Sequence, residues 1–135
     1  MNDPRSAYLH IPFCNRRCFY CDFAVVPLSI NDAPAKKISN KQQESYVKLL
    51  QREILISPKG PPLSTIYFGG GTPSLLTPKQ IFSLLQNLSC HYGIQDGAEI
   101  TMEVDPASFS HQDLDEFINI GINRFSLGGQ SFDNQ

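Results

Sequence analysis

Short apolar runs alternate along the chain with longer amphipathic stretches. Four β-rich runs bounded by proline, glycine or polar residues lie at 7–11, 64–68, 99–104 and 123–127. Between them, apolar residues recur at threes and fours, which predicts helices over 44–56, from Pro78 onward and after Ser110. The order strand, helix, strand, helix, strand, helix, strand predicts βαβ units with right-handed crossovers and a mostly parallel sheet. The expected fold class is therefore α/β.

Local signals set the expected boundaries of these elements. Thr77 stands before Pro78 as a helix cap, and Ser110 with Asp113 forms the pattern of a capping box. The polar stretch 27–42, which contains two prolines, is predicted to be a loop. The glycine run that starts at Gly69 is expected to end the second strand.

Composition limits the classes of function. The chain has 135 residues, which suffice for one modest domain, and its net charge of −2 argues against a mainly electrostatic nucleic-acid binder. No apolar run approaches the roughly 20 residues of a membrane span. The first ten residues lack the basic and apolar regions of a signal peptide. A cytoplasmic location is expected, and an organelle stays open if a presequence has been removed.

The residues with distinctive chemistry all follow predicted strands. Three cysteines follow the first strand, a glycine run follows the second, Glu103 closes the third, and Gln130 follows the fourth. Ligands of parallel α/β sheets bind beyond the carboxyl ends of the strands. We therefore expect these four loops to share one edge of the sheet.

The cysteines suggest a soft metal. Cys14, Cys18 and Cys21 have the spacing C-x3-C-x2-C, while Cys90 is distant in sequence. A cubane of four irons held by three thiolates leaves one iron open to an external molecule. The alternative is a zinc site whose fourth ligand is His10 or Cys90.

The other candidates each have a structural alternative. The glycines permit close backbone approach to a ligand, or they form only a strand-to-helix turn. A phosphate-binding P-loop is not expected, because no Gly-Lys-Ser/Thr follows them. Glu103 and Gln130 are suited to hydrogen bonds with a polar ligand, or they are solvated edge residues. Tyr8 contacts the ligand or packs in the core.

The cysteine spacing, with Tyr20 directly before the third cysteine, resembles the signature of the radical S-adenosylmethionine (SAM) enzymes. The resemblance implies a 4Fe-4S cluster on Cys14, Cys18 and Cys21, whose open iron binds the amino and carboxylate groups of SAM. In that family, cleavage of SAM releases a 5′-deoxyadenosyl radical, and a glycine motif similar to Gly-Gly-Gly-Thr-Pro holds the SAM amino group. The expected SAM contacts are Tyr8, Tyr20, Gly70, Gly71, Thr72, Glu103 and Gln130.

Four stretches, 8–14, 69–74, 103–106 and 123–132, together resemble the oxygen-independent coproporphyrinogen III oxidase branch of this family. The true oxidases usually carry a further cysteine where this chain has Phe23. The Cys-Asp-Phe ending resembles the oxidase-like haem chaperones, which implies haem or porphyrin, an electron donor and a haem-accepting protein as partners. The alternatives are a coproporphyrinogen III oxidase and a non-enzymatic zinc or iron–sulfur binding module.

The family's catalytic domain is a (β/α)6 partial barrel followed by a C-terminal domain. The resemblance implies that residues 1–135 hold about the first four strands, so that the remaining barrel and the C-terminal domain lie beyond Gln135. We expect such a chain to bind a cluster weakly without sustaining turnover. No catalytic residue and no haem ligand are assigned to it.

Overall fold

The computed structural model describes residues 3–15, 21–27, 35–106 and 110–128, with the backbone alone for residues 35–40. The strands in this part of the chain are β1 Ser6–Ile11, β2 Phe13–Cys14, β3 Val26–Pro27, β4 Leu63–Gly70, β5 Ile94–Val104 and β6 Arg124–Leu127. The helices are α1 Ala35–Ile56, α2 Pro78–His91 and α3 His111–Asn119. A single 3₁₀ turn, Pro73–Leu75, lies between β4 and α2.

Four strands form one sheet in the order β1-β4-β5-β6, and every neighbouring pair is parallel. One helix lies in each of the three connections between successive strands of this sheet. The prediction of an α/β fold built from parallel βαβ units is therefore confirmed. β2 and β3 form a separate short parallel ladder, in which Phe13 pairs with Val26 and Cys14 with Pro27.

The four-stranded sheet has two different faces, because successive side chains of a strand point to opposite sides. We call one side the covered face, and its buried residues include Leu9, Ile11, Ile66, Phe68, Ile100, Met102 and Val104. Val47 of α1, Leu84 of α2 and Phe117 of α3 belong to the same buried cluster. We call the other side the open face, and it carries Tyr8, His10, Tyr67, Glu99, Thr101, Glu103, Arg124 and Ser126.

Two of the helices begin as their sequences predict. Thr77 and Gln80 form a complete capping box at α2, with Pro78 in the first turn. Ser110 and Asp113 form a second one at α3, and the hydrogen bonds from Ser110 lower the pKa of the Asp113 carboxyl. Within the described ranges, no helix is both long and apolar enough to cross a membrane.

The prediction of a loop over 27–42 is wrong at both of its ends. Pro27 lies in β3, and α1 begins at Ala35, so residues 35–42 are helical; residues 28–34 lie outside the described ranges. The stretch 35–42 contains alanine, lysine and glutamine, which favour helices without forming an apolar stripe. Periodicity marked the part of α1 that includes the buried residues Val47 and Ile54.

The expected end of the second strand is also wrong. β4 continues through Gly69 and Gly70, which pair with His10 and Ile11 of β1. A glycine adds no side chain to a sheet, yet its amide and carbonyl still join the ladder, so the pairing with β1 overrides the local signal. Gly70 has a φ of 114°, and the strand ends there.

Candidate functional site

The ends of β1 and β4 bring the cysteine loop and the glycine run together. Gly71 donates its amide hydrogen to the Ile11 carbonyl at 2.7 Å, and Thr72 donates to the Phe13 carbonyl at the same distance. The glycine run therefore continues alongside the segment that leads to Cys14. Because both strands run in the same direction, the two loops lie at one edge of the sheet, as predicted from the topology.

Gly71 lies directly against the first cysteine. A Cβ atom on Gly71 would lie 2.6 Å from the Phe13 carbonyl oxygen and 2.9 Å from Cys14 Sγ. The hydroxyl of Thr72 donates to Cys14 Sγ over 3.7 Å. Only glycine fits position 71, and the next side chain supplies a hydrogen bond to the sulfur.

The two preceding glycines make room for side chains of the open face. A Cβ atom on Gly69 would lie 2.8 Å from the ring of Tyr67 and 2.9 Å from that of Tyr8. A Cβ atom on Gly70 would lie 2.7 Å from the imidazole of His10. The glycine run is therefore packed against this chain's own side chains.

The cysteine loop is closed at its base. β2 pairs with β3, and the Val26 amide donates to the Pro12 carbonyl at 2.7 Å. Cys14 and Cys21 are both half-buried, whereas Cys18 and Tyr20 lie outside the described ranges. Within those ranges no three His, Cys, Asp or Glu side chains come together as a metal site. The set of three thiolates therefore stays a prediction.

Two tyrosines and Glu103 form a cluster on the open face. The rings of Tyr8 and Tyr67 stack with centroids 5.9 Å apart, and the Tyr67 hydroxyl donates to Glu103 Oε1 at 2.8 Å. Burial and this carboxylate raise the pKa of Tyr67, while a hydrogen bond with Ser126 opposes the shift. Burial and the charge of Glu103 also raise the pKa of Tyr8. Tyr8 is 59% exposed, which rules out its packing in the core.

Sequence reasoning missed Tyr67. Tyr67 pairs with Tyr8 in the β1–β4 register, and Phe68 beside it belongs to the covered face. Alternation along β4 places Tyr67 on the same side as Gly69, which is a signal the sequence does contain. The pairing with Tyr8 needs the register between strands, which the pattern of a single strand does not contain.

The alternative of zinc completed by His10 or Cys90 finds no support in the geometry. His10 Nδ1 lies 3.2 Å from the Tyr8 hydroxyl, and Nε2 lies 2.9 Å from the Ala24 carbonyl oxygen. Both ring nitrogens thus have partners within the chain. Cys90 is exposed near the end of α2, where the Gly93 carbonyl accepts from the first residue of β4. Cys14 lies near the other end of β4, a strand of eight residues that is about 23 Å long.

Comparison with known proteins identifies the family. The family profile described as the radical SAM superfamily matches residues 8–135. The chain belongs to the radical SAM superfamily. Members of this superfamily use SAM and a 4Fe-4S cluster in general. The residues that would hold them here stay predictions, and Gln130 lies outside the described ranges.

Similar radical SAM proteins include haem chaperones and an oxidase. The haem chaperone HemW of Synechocystis sp. is 44% identical over 130 residues, which are 96% of this chain and 31% of that protein. The oxygen-independent coproporphyrinogen III oxidase of Escherichia coli is 33% identical over an alignment of 138 positions, gaps included, which covers 98% of this chain and 28% of the oxidase. The predicted resemblance to this branch of the superfamily is therefore confirmed.

A solved structure supports the same conclusion for the fold. Coproporphyrinogen III oxidase (HemN) from Escherichia coli, described as a radical SAM enzyme, matches with a TM-score of 0.80 at 30% identity. The match covers 98% of this chain and 29% of that one. The four-stranded sheet thus corresponds to part of the radical SAM fold. The chain spans 27% to 34% of the length of the curated relatives it matches.

Proposed function

We propose that this chain is the cluster-binding and SAM-binding part of a radical SAM haem chaperone. Cys14, Cys18 and Cys21 hold the 4Fe-4S cluster through their thiolates. The residues that contact SAM are Tyr8, Tyr20, Gly70, Gly71, Thr72, Glu103 and Gln130. The whole protein passes haem to a haem-dependent protein and receives its electron from a separate donor.

The observation that carries this proposal is the contact between the glycine run and the first cysteine. A Cβ atom added to Gly71 would lie 2.9 Å from Cys14 Sγ, so there is no space for a side chain at this position. SAM must reach an iron of the cluster with its amino and carboxylate groups, so the segment that binds the amino group must lie beside the cysteines. The Thr72 hydroxyl, 3.7 Å from the same sulfur, donates a hydrogen bond to it and holds the segment after Gly71 beside Cys14.

The residues present fit an iron–sulfur cluster. Thiolates are the usual ligands of such clusters, and Cys14 and Cys21 are half-buried side chains of one loop with a closed base. The cluster, when bound, supplies the electron that cleaves the sulfonium of SAM. Tyr8 and Glu103 lie on the open face near this edge. The Tyr8 hydroxyl bonds to His10 and Glu103 accepts from Tyr67, and both groups can accept a further hydrogen bond from SAM.

The chaperone assignment rests on a different position. Phe23 stands where the true oxidases usually carry a further cysteine, and it is 66% exposed in the segment after Cys21. Identity is 44% to the haem chaperone of Synechocystis sp., but the haem chaperone and the oxidase of Escherichia coli are almost equal at 34% and 33%, so Phe23 carries the choice. Decarboxylation of coproporphyrinogen III is the alternative activity.

Anaerobic reconstitution tests the cluster and SAM assignments. The chain is treated with ferrous iron, sulfide and a thiol reductant, and bound iron and sulfide are measured per chain. We expect uptake with the visible absorption of a 4Fe-4S cluster, loss in Cys14→Ser, and no change in Cys90→Ser. Added SAM should change the electron paramagnetic resonance signal of the reduced cluster. Zinc uptake without iron, or equal loss in both variants, would contradict the proposal.

A second experiment separates the chaperone from the oxidase. The chain and its Synechocystis relative are incubated in parallel with coproporphyrinogen III, SAM and a reductant, without oxygen. We expect no vinyl product from either protein, and stoichiometric haem binding by the relative in a spectroscopic titration. A vinyl product formed by the chain would overturn the chaperone assignment while leaving the cluster assignment intact.

A further inference from the structure

The side chain of His10 connects three separate parts of the site. Its Nε2 lies 2.9 Å from the Ala24 carbonyl oxygen, beyond the last cysteine of the loop. Its Nδ1 lies 3.2 Å from the hydroxyl of Tyr8 on the same strand. The ring also occupies the space above Gly70, where a Cβ atom would approach it to 2.7 Å.

These contacts determine the roles of the two ring nitrogens. A carbonyl oxygen only accepts, so His10 Nε2 carries the hydrogen and donates it to Ala24. In the neutral ring Nδ1 then accepts, and the hydroxyl of Tyr8 donates to it. The imidazole thus makes two directed hydrogen bonds on opposite sides, and both ends of the ring are fixed.

The backbone of His10 is held as well. The Tyr46 hydroxyl of α1 donates to the His10 carbonyl at 2.6 Å, and β1 pairs His10 with Gly69. The Ala24 carbonyl is therefore attached to a rigid strand. Ala24 lies three residues after Cys21 in the sequence and two before Val26, whose amide donates to the Pro12 carbonyl.

We propose that His10 is a positioning residue, which fixes the exit of the cysteine loop at Ala24 and thereby sets where Cys21 stands relative to Cys14. It acts through Ala24 and contacts no ligand itself. The inference rests on the proposed function, because the positions of these cysteines matter through the cluster they would hold. The hydrogen bond between His10 Nδ1 and the Tyr8 hydroxyl also connects the His10 ring to a proposed SAM contact.

Two substitutions separate the two ring nitrogens. The side-chain amide nitrogen of His10→Gln falls near the position of Nε2 and can still donate to Ala24. The shorter amide of His10→Asn falls near Nδ1, so it keeps an acceptor for Tyr8 and loses the contact with Ala24. His91→Asn is the matched control, because His91 Nε2 also lies 2.9 Å from a backbone carbonyl, that of Ser57 at the other end of the sheet.

Hydrogen exchange of the metal-free, reduced chain is measured by mass spectrometry over residues 21–27. Loss of one such hydrogen bond should speed exchange there about three- to tenfold in His10→Asn. Exchange should stay near the original rate in His10→Gln, His91→Asn and Tyr8→Phe. Iron uptake in anaerobic reconstitution should fall in His10→Asn and recover in His10→Gln.

The outcomes distinguish the two proposals. Unchanged exchange in His10→Asn, or equally fast exchange in His10→Gln, overturns the role of His10. If His10→Asn does not fold, normal exchange and iron uptake in His10→Gln support the role, and loss of either in the folded variant overturns it. If the original chain takes up no iron, the proposed function fails, while the exchange rates still decide whether His10 holds the loop.

Discussion

The covered face and the open face of the sheet alternate along the same strands, yet they differ in what their side chains do. Phe68 and Met102 are fully buried beneath the helices, and they contribute apolar area to one core. Tyr67 and Glu103, their neighbours in sequence, join a hydrogen-bonded cluster that is partly open to solvent. We expect stability to depend mainly on the covered face, whereas the proposed SAM contacts Tyr8 and Glu103 lie on the open face.

The largest expected effect is on the covered face of β1. Leu9 is 5% exposed and its neighbour Tyr8 is 59% exposed. Leu9→Ala removes buried methyl groups and should lower the free energy of unfolding by about 2–5 kcal/mol. Tyr8→Ala removes a larger side chain, but it should cost only about 1 kcal/mol or less because the ring is mainly in solvent. Urea titration of both variants measures the difference, and equal losses would show that the two faces share the stability.

The covered face is also the part of the molecule that the sequence predicts best. Burial follows the periodicity of apolar residues, so Ile66, Phe68 and Phe117 could be placed in strands and a helix before the structure was known. The start of α1 at Ala35 could not, because its polar first turns carry no such periodicity. The predicted end of β4 was wrong for another physical reason, because pairing with β1 holds Gly69 and Gly70 in the strand.

A second prediction concerns the edge where the two faces meet the cysteine loop. Gly71→Ala places a Cβ atom 2.6 Å from a backbone carbonyl and 2.9 Å from Cys14 Sγ. The resulting displacement should cost about 1–3 kcal/mol in the free energy of unfolding, and it should reduce iron uptake. Urea titration and iron analysis after anaerobic reconstitution measure the two effects.

Gly60→Ala is the matched control for this glycine. Its Cβ atom would lie 3.7 Å from the ring of Tyr92, an ordinary contact distance. We expect a change within about 0.5 kcal/mol and normal iron uptake. If Gly71→Ala behaved like this control, the close approach would have no consequence and the proposed site would lose its main support.

The candidate site could be predicted only in part. Topology predicted that Cys14 and Gly71 would meet at one edge, because parallel strands end on the same side. The contact between His10 and Ala24 depends on the path of a loop, and the stacking of Tyr8 on Tyr67 depends on strand register. Neither the path of the loop nor the register of the strands can be read from the periodicity of one segment. His10 therefore looked like a candidate zinc ligand, whereas its ring nitrogens both have partners in the chain.

A third prediction uses the pKa of Tyr67 to test the open face. Burial and the hydrogen bond to Glu103 raise this pKa in the folded chain. The unfolded chain therefore loses the Tyr67 proton first, so this contribution to stability is complete below pH about 10 and is lost as the pH rises through the folded-state pKa. Glu103→Gln should lower the pKa of Tyr67 and move this loss to lower pH.

Ultraviolet titration of tyrosinate and unfolding curves at alkaline pH measure both effects. Glu99→Gln is the control on the same strand and face, since Glu99 bonds to Arg124 and Thr101 instead of Tyr67. Identical tyrosine titrations in Glu103→Gln and the original chain would mean that the carboxylate does not influence Tyr67. The conclusion that Glu103 raises the pKa of Tyr67 would then be wrong.

The smallest effect is expected at the ion pair of the open face. Arg124 Nη1 lies 2.8 Å from Glu99 Oε1, but the two side chains are 62% and 49% exposed. Solvent screens such a pair, so a double-mutant cycle with Arg124→Ala and Glu99→Ala should give a coupling of about 0.2–1 kcal/mol that decreases with added salt. A coupling well above this range would mean that the open face carries stability comparable to that of a buried contact. A value near zero would mean that this ion pair adds nothing to stability, as expected for a face whose proposed role, through Tyr8 and Glu103, is to contact SAM.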